Sequence, residues 1–326
     1  MATINWGIIG CGDVTEVKSG PAFNKVKGSR LVAVMRRNAE LAKDYAARHG
    51  VPKWYSNADD LIHDDEVNAV YVATPPSSHL PYALAAIAAG KNVYIEKPVT
   101  LNYKEALEIV AAAKAGNVKV SVAHYRRAQP LFKKVRELIN SKTIGEIRLA
   151  NLVYYCPPLK KEELVNEKNA WRVNPEISGG GLFHDMAPHQ VDLAYYFFGA
   201  VEKVRAIAAR QGTMYQADDI VTGSILFKNK VVFNGCWCFN AARSASADDF
   251  EIIGAEGKIS FKVFGGNTVK LVTAEKEEIF TFDTLKHVQQ PMISEVVRYF
   301  LGEAPNPNNA EDAAEVMKIL DAFTAE

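Results

Sequence analysis

The residues best suited to acid–base chemistry lie in the middle of the chain, after three glycines at 179–181. Asp185, His189 and Asp192 are spaced at i, i+4 and i+7, so a helix places them on one face. A carboxylate beside an imidazole suits proton transfer. Two alternatives stay open at this point. Asp185 can cap a helix beside a structural histidine, or His184, Asp185 and His189 can bind a metal, although the histidines lack the usual i, i+4 spacing.

A second candidate is Lys97, which follows a short apolar run at 92–95. Desolvation and a nearby positive charge both favour the neutral form of a lysine, so a lysine in a ligand crevice is a candidate proton donor or acceptor. The alternative is an ordinary surface ion pair. The choice depends on whether 92–95 belongs to an open parallel sheet, because such sheets bind ligands beyond the carboxyl ends of their strands.

The first 124 residues show the alternation that such a sheet requires. Short apolar runs alternate with helical segments, which predicts a doubly wound, parallel α/β sheet of the Rossmann type. The predicted strands are 4–9, 31–35, 51–55, 69–73, 92–95 and 118–123. The clearest helices are 39–49, one that is capped by Ser77 or Ser78 and runs to 89, and 102–114. The residues that follow these strands are therefore candidates for ligand contacts.

The turn after the first predicted strand, Gly10-Cys11-Gly12-Asp13-Val14, is typical of a phosphate-binding loop. Gly10 and Gly12 leave room for a pyrophosphate beside the backbone, and a helix that begins here adds its positive dipole end. Thr15 occupies the place of the usual third glycine. Because the turn opens an α/β pattern, it favours a dinucleotide site over an ordinary strand–turn–helix connection.

Further cofactor candidates follow the second and fourth strands. Arg36 and Arg37 lie where an NAD-binding fold usually has an acidic residue on the ribose hydroxyls. A guanidinium binds phosphate through a planar fork, so the pair favours NADP over NAD unless both arginines are simply solvated. Thr74, Pro75 and His79 follow the fourth strand, near the expected phosphates or nicotinamide ribose, and a purely structural role for His79 stays open.

After residue 124 the pattern changes to many apolar runs joined by short turns, between about 147 and 282. This predicts an α+β domain with a large, mostly antiparallel open sheet over 125–326, following a dinucleotide-binding domain over 1–124. Late helices are expected at 291–301 and 310–323.

Composition argues against several classes of function. The 326 residues carry 38 basic and 38 acidic side chains, so a diffuse nucleic-acid or membrane-surface role is disfavoured. No apolar run is long enough to span a bilayer, and the strand at 4–9 leaves no room for a signal peptide, so a cytoplasmic protein is expected. The four cysteines lack paired C-x-x-C spacing, which favours reduced thiols over a metal site.

With these motifs in place, the chain resembles the glucose–fructose oxidoreductase/inositol dehydrogenase/rhizopine-catabolism (Gfo/Idh/MocA) family over nearly its whole length. The segments that carry the resemblance are Gly7-Ile8-Ile9-Gly10-Cys11-Gly12-Asp13, Thr74-Pro75-Pro76-Ser77-Ser78-His79, Glu96-Lys97-Pro98, and Gly179-Gly180-Gly181 followed by Asp185 and His189. The resemblance implies an oxidoreductase that uses NADP or NAD to act on a sugar, inositol or related polyol.

The resemblance also implies roles for particular residues. Lys97, Asp185 and His189 form the catalytic trio: His189 exchanges a proton with the reacting oxygen, Lys97 polarises that oxygen, and Asp185 orients the substrate. Glu96 orients Lys97 or contacts the cofactor ribose, and Lys97 also borders the cofactor. The residues expected to line the substrate crevice, besides Asp185 and His189, are His124, Tyr125, Trp171 and Arg172. The resemblance further implies a cis Lys97–Pro98 bond, as in some relatives, which would aim Lys97 into the site.

Two further expectations concern partners and alternatives. Such proteins often form homodimers or homotetramers through the open face of the second sheet, although that face can instead pack within the monomer. The alternatives in function are a glycosidase of the same family, which holds NAD and oxidises the sugar transiently, and a non-catalytic dinucleotide-binding regulator. The presence of Lys97, Asp185 and His189 argues against the regulator.

Overall fold

The computed structural model describes residues 2–325, without the side chains of 167 and 168. By its contacts the chain divides into two compact units, Met1–Ala128 with Leu285–Met317, and Gln129–Thr284 with Lys318–Glu326. The sequence pattern assigns all of 125–326 to the second domain, whereas 125–128 and 285–317 group with the first unit. The physical reason is a late amphipathic helix, whose Met292, Ile293 and Val297 pack into the same core as Trp6.

The strands are β1 (Ile4–Ile9), β2 (Ser29–Met35), β3 (Lys53–Tyr55), β4 (Ala69–Val72), β5 (Asn92–Ile95), β6 (Val120–Val122), β7 (Ile147–Tyr155), β8 (Val201–Ala209), β9 (Ile220–Phe227), β10 (Val232–Cys238), β11 (Ala247–Gly254), β12 (Gly257–Phe261), β13 (Thr268–Thr273) and β14 (Glu277–Thr281). The helices are α1 (Asp13–Val17), α2 (Gly20–Phe23), α3 (Ala39–His49), α4 (Ala58–Ile62), α5 (His79–Ala88), α6 (Tyr103–Gly116), α7 (Pro130–Asn140), α8 (Lys161–Leu164), α9 (Glu167–Ala170), α10 (Pro175–Ser178), α11 (Leu182–Phe198), α12 (Gln290–Phe300) and α13 (Ala310–Thr324).

The first unit contains the predicted doubly wound sheet. Its six strands are all parallel and lie in the order β3-β2-β1-β4-β5-β6. The sheet's buried aromatics meet in one cluster, in which the Trp6 ring lies 4.8 Å from Phe23 and the Tyr71 ring lies 5.2 Å from Tyr94. This order confirms the α/β prediction, and it brings the carboxyl ends of β1, β4 and β5 to one edge.

The second unit contains the predicted open sheet, in the order β14-β13-β12-β11-β7-β10-β9-β8. Neighbouring strands are antiparallel except for β7 and β10, which are parallel. On the covered face, Trp237 and Phe250 are fully buried and lie 5.2 and 6.3 Å from the rings of Phe183 and Phe197 in α11. This face therefore holds the core of the second unit and fixes α11 against the sheet.

The other face of this sheet carries a half-buried apolar row that crosses four strands. In register along the row lie Leu226, Val232, Leu149 and Ile253. A face with such a row suits association with a second copy of the chain, and the expected homo-oligomer stays a prediction. Among residues 2–325, no helix is long and apolar enough to cross a membrane.

Candidate active site

The glycine turn after β1 is shaped by its neighbours. Gly10 has a φ of +93°, and a Cβ there would lie 2.7 Å from Thr74 Cγ2 and 2.9 Å from Thr74 N. The amides of Gly10 and Cys11 donate to Met35 O at 2.9 and 3.2 Å, so these two N–H groups are used in hydrogen bonds to the end of β2. The donors that can face a phosphate therefore begin at Gly12, where a Cβ would meet nothing nearer than 3.9 Å.

Thr15, at the place of the usual third glycine, is buried and closes the turn by hydrogen bonds. Its hydroxyl and its amide both donate to Gly12 O, at 2.8 and 3.1 Å, and the Tyr45 hydroxyl donates to Thr15 O at 2.8 Å. The helix that follows, α1, has only five residues, so its dipole contributes less than the sequence suggested. Cys11 is fully buried, and burial raises the pKa of its thiol to about 11, so it is not an activated nucleophile.

These features fit a bound dinucleotide. The close approach at Gly10 admits no side chain, and the position of a Cβ at Gly12, the N-cap of α1, is open. The Thr74 Oγ1 atom is buried and has no hydrogen-bond partner within residues 2–325. Because buried polar atoms are normally paired, a cofactor oxygen is the natural partner for this hydroxyl. Contacts of Gly12, Asp13, Val14, Thr74 and Pro75 with the cofactor stay predictions.

Gly10→Ala should nearly abolish dinucleotide binding. The alanine methyl would meet the main chain of Thr74 and also require a positive φ, which costs about 1–2 kcal/mol by itself. Gly90→Ala is the matched control, because Gly90 has a φ of +71° but nothing lies within 4 Å of the place that its methyl group would take. Titration of NADH and NADPH fluorescence should show a loss for the first variant only. Equal binding by both variants would contradict this account of the turn.

Arg36 and Arg37 follow β2, as predicted, but they differ in setting. Arg36 is half-buried and lies near enough to Cys11 to influence its thiol electrostatically, whereas Arg37 is exposed. The sequence reading missed Glu16, which lies in α1 and accepts two bonds of 2.8 Å from Arg48. That contact lowers the pKa of Glu16 to about 2. Glu16, the acidic residue that lies near Cys11, is thus already paired with the guanidinium of Arg48.

His79 is fully buried and connects two loops. Its Nδ1 lies 2.8 Å from Pro98 O and its Nε2 lies 2.7 Å from Thr74 O. Burial lowers the pKa of the ring, although the two carbonyls favour its charged form. Each ring nitrogen faces a carbonyl of the loops after β4 and β5, and a neutral ring donates to one of the two. This arrangement favours the structural role, and direct contact of His79 with the cofactor stays untested.

Lys97 follows β5 and is half-buried, and the Lys97–Pro98 peptide bond is cis, as the resemblance implied. Glu96 before it is only 6% exposed. The Glu96 Oε1 atom accepts bonds from the Tyr71 hydroxyl and, at 2.6 Å, from the Gln289 amide. The Lys97 backbone N–H donates to Glu96 Oε2 at 3.2 Å. Glu96 therefore orients the main chain at Lys97, while its contact with a cofactor ribose stays a prediction.

The two candidates after β6 are both buried in the first unit. His124 is 2% exposed and Tyr125 is 7% exposed. Tyr125 packs in the core cluster with Tyr94, and the guanidinium of Arg126 lies 5.4 Å from the centre of its ring. These surroundings give Tyr125 a packing role, and substrate contact by either residue stays a prediction.

In the second unit the predicted acid–base face is present on α11. Asp185, His189 and Asp192 are all buried, at 6%, 6% and 1% exposure. Arg172 Nη1 donates to Asp185 Oδ2 at 3.1 Å, and its guanidinium carbon lies 4.9 Å from the Trp171 ring centre. Arg172 thus connects Trp171 to Asp185, three residues that were expected to line the same crevice. The ion pair favours the carboxylate form of Asp185.

His184 is excluded from the acid–base role by its surroundings. A Cβ at Gly180 would lie 2.0 Å from His184 Nδ1, so this glycine makes room for the ring. Burial lowers the pKa of His184 to about 4, which keeps it neutral. His189 instead meets the edge of Phe264 at a ring distance of 5.5 Å. Within residues 2–325, no group of three or more His, Cys, Asp or Glu side chains could hold a metal ion.

Phe264 is a second residue that sequence reasoning missed. Asp248 accepts the backbone amides of Val263, at 3.2 Å, and of Phe264. The Phe264 ring also lies 5.3 Å from Tyr154 on β7. It is therefore held in place on both sides while it contacts His189. An aromatic residue in a loop after β12 carries no sequence signal for this role.

Two family models match the chain. The description "Oxidoreductase family, NAD-binding Rossmann fold" covers residues 4–124, and "GFO/IDH/MocA C-terminal domain" covers 132–260. The chain belongs to the Gfo/Idh/MocA family. It is therefore an oxidoreductase with an NAD-binding Rossmann domain, which confirms the family and the enzyme class that the motifs predicted.

Relatives of this family member give a range of named activities. "Oxidoreductase P35" of Formosa agariphila is 49% identical over 321 residues, which is 98% of each chain. A 1,5-anhydro-D-fructose reductase of Ensifer adhaerens is 29% identical over 78% of this chain and 74% of its own length. A levoglucosan dehydrogenase solved with NADH has a TM-score of 0.86 at 23% identity, over 98% of this chain and 96% of that one. The last likeness shows the fold alone.

Proposed function

We propose that this protein is an NAD(P)-dependent dehydrogenase or reductase that interconverts a hydroxyl and a carbonyl group on a sugar or related polyol. Family membership, together with Lys97, Asp185 and His189 at the motif positions, carries the proposal. The named activity of the Ensifer relative, a reductase of an anhydro sugar, supports the substrate class.

The cofactor would be held by the turn at 10–14, the Thr74 hydroxyl and the residues after β2 and β5. When bound, the nicotinamide supplies or accepts the hydride. The chain itself must position the substrate, stabilise charge on its oxygen and move one proton. Lys97, Asp185 and His189 are the three residues proposed to do this.

His189 is the proposed acid–base group, which takes the hydroxyl proton during oxidation and returns it during reduction. Its Phe264 contact restricts the ring orientation. Lys97 supplies a positive charge that stabilises the developing oxyanion. Asp185 is not the proton donor in this scheme, because Arg172 favours its carboxylate form. It accepts a substrate hydroxyl and stabilises the imidazolium form of His189.

NADP is the preferred cofactor in this proposal. Arg36 and Arg37 follow β2, and neither makes an ion pair with another described residue. Glu16 is paired with Arg48, so it repels a ribose phosphate less than an unpaired carboxylate would. We expect NADPH to bind at least about tenfold more tightly than NADH, a difference of about 1.4 kcal/mol. Fluorescence titration of both cofactors tests this, and tighter binding of NADH would overturn the preference.

The substrate class is tested by a spectrophotometric screen of sugars, anhydro sugars, inositols and sugar acids with both cofactors in both directions. The proposal expects net formation or consumption of reduced cofactor with at least one sugar-like compound. Release of a sugar from a glycoside without net cofactor change would instead support the glycosidase alternative. Cofactor binding without any turnover would support the regulator alternative.

A further inference from the structure

We propose that Gln289 is a positioning residue for Lys97, an inference that rests on the proposed function. Gln289 lies 193 residues after Glu96, yet its amide nitrogen donates to Glu96 Oε1 at 2.6 Å. The other oxygen of that carboxylate accepts the Lys97 backbone N–H at 3.2 Å. One carboxylate therefore links the Gln289 side chain to the main chain of Lys97.

The link is buried and leaves little freedom to its members. Gln289 and Tyr71 are fully buried, and Glu96 is 6% exposed. Tyr71 donates a second bond to the same Glu96 oxygen. Bonds to an ionised acceptor are stronger than neutral ones, and water cannot replace a donor that is lost inside the fold. Removal of the Gln289 amide should therefore let the Glu96 carboxylate, and with it Lys97, shift.

Gln289 is itself held by a larger element. Its backbone N–H donates to Lys18 O at 3.2 Å, and its carbonyl accepts Ile293 N at 2.9 Å, within the first turn of α12. The apolar residues Met292, Ile293 and Val296 of that helix are fully buried in the core of the first unit. The return of 285–317 to the first unit thus places a fixed amide against Glu96. Segment 285–317 therefore supplies a donor to Glu96 in addition to the apolar residues that it adds to the core of the first unit.

The test compares Gln289→Met with Gln290→Met in the full-length protein. Methionine keeps the length of the side chain and removes its donor. We expect Gln289→Met to lower kcat about 10- to 100-fold, while KM for the sugar and the Kd of NADPH change less than about threefold. The control should lower kcat less than twofold, because the Gln290 side chain makes no hydrogen bond to another described residue. Tyr71→Phe should show the same kcat-only loss.

A second readout does not need turnover. The rate at which trinitrobenzenesulfonate modifies Lys97, followed by peptide mass spectrometry, should rise at least threefold in Gln289→Met and stay unchanged in the control. If the natural protein turns over no sugar, the proposed function fails, but this labelling still tests the link. If Gln289→Met does not fold, kcat and the rate of Lys97 labelling are measured on Tyr71→Phe instead.

Four results would overturn the proposal. The first is a kcat within twofold of the natural protein. The second is a lower rate in Gln289→Met that returns to that of the natural protein at saturating cofactor, which would make Gln289 a cofactor-binding residue. The third is an unchanged labelling rate at Lys97. Combining Tyr71→Phe with Gln289→Met should cost less than the product of the single losses, since both act through Glu96; strictly multiplicative losses would also contradict the link.

Discussion

Replacing Lys97 by methionine should lower kcat about 10³-fold and leave the fold and dinucleotide binding in place. The lysine is proposed to stabilise negative charge on the reacting oxygen, and the loss of one such group commonly costs about 10²–10³ in kcat. Its side chain is half-buried after β5, so its removal should leave the apolar core intact. Steady-state rates with the best sugar of the screen and fluorescence titration of NADPH measure the two effects separately.

Two further variants show what Lys97 contributes. Lys97→Arg keeps a positive charge but cannot release a proton near neutral pH. We expect it to be about tenfold more active than Lys97→Met, because the proposed role is electrostatic and His189 moves the proton. Lys104→Met is the matched control, an exposed lysine of α6. Full activity of Lys97→Met would remove the residue from the catalytic set, and equal inactivity of the arginine and methionine variants would favour proton transfer by Lys97.

The parallel sheet of the first unit could be predicted closely because its strands are continuous apolar runs between turn signals. The predicted strands at 4–9 and 92–95 and the helix at 39–49 match β1, β5 and α3 residue for residue. Buried parallel strands show little alternation and therefore stand out from amphipathic helices. The positions of the glycine turn and of Lys97 could be predicted once the strands were placed, because both lie just after strands.

Contacts between distant segments could not be predicted in this way. The hairpins that join β8 to β10 and β11 to β14 have turn signals, but no local pattern shows that β10 pairs with β7 in parallel. The apolar stripe of α12 indicates an amphipathic helix without naming the surface that it covers. The same limit explains why Gln289 was missed: a polar residue at the start of a helix normally faces solvent.

The region before α11 shows a different limit. Residues 161–178 form three helices of four residues and one 3₁₀ turn, which are too short to show a periodic pattern. Trp171 and Arg172 could therefore be singled out only by resemblance. The ion pair of Arg172 with Asp185 and the stacking of Arg172 on Trp171 emerge from the fold. For the same reason the spacing of Asp185 and His189 indicated a shared face but not the ion pair between Arg172 and Asp185.

His189→Asn should lower kcat/KM about 10³-fold, because asparagine can hold a substrate hydrogen bond but cannot carry its proton. The dependence of kcat/KM on pH between about 5 and 8, where an imidazole normally titrates, should also flatten. His63→Asn is the matched control, since His63 is exposed at the end of α4. The buried His184 cannot take over, because its low pKa keeps it neutral across this range. A His189→Asn enzyme that kept the full rate and the same pH profile would show that the proton moves elsewhere, and the roles of His189 and Lys97 would then have to be exchanged.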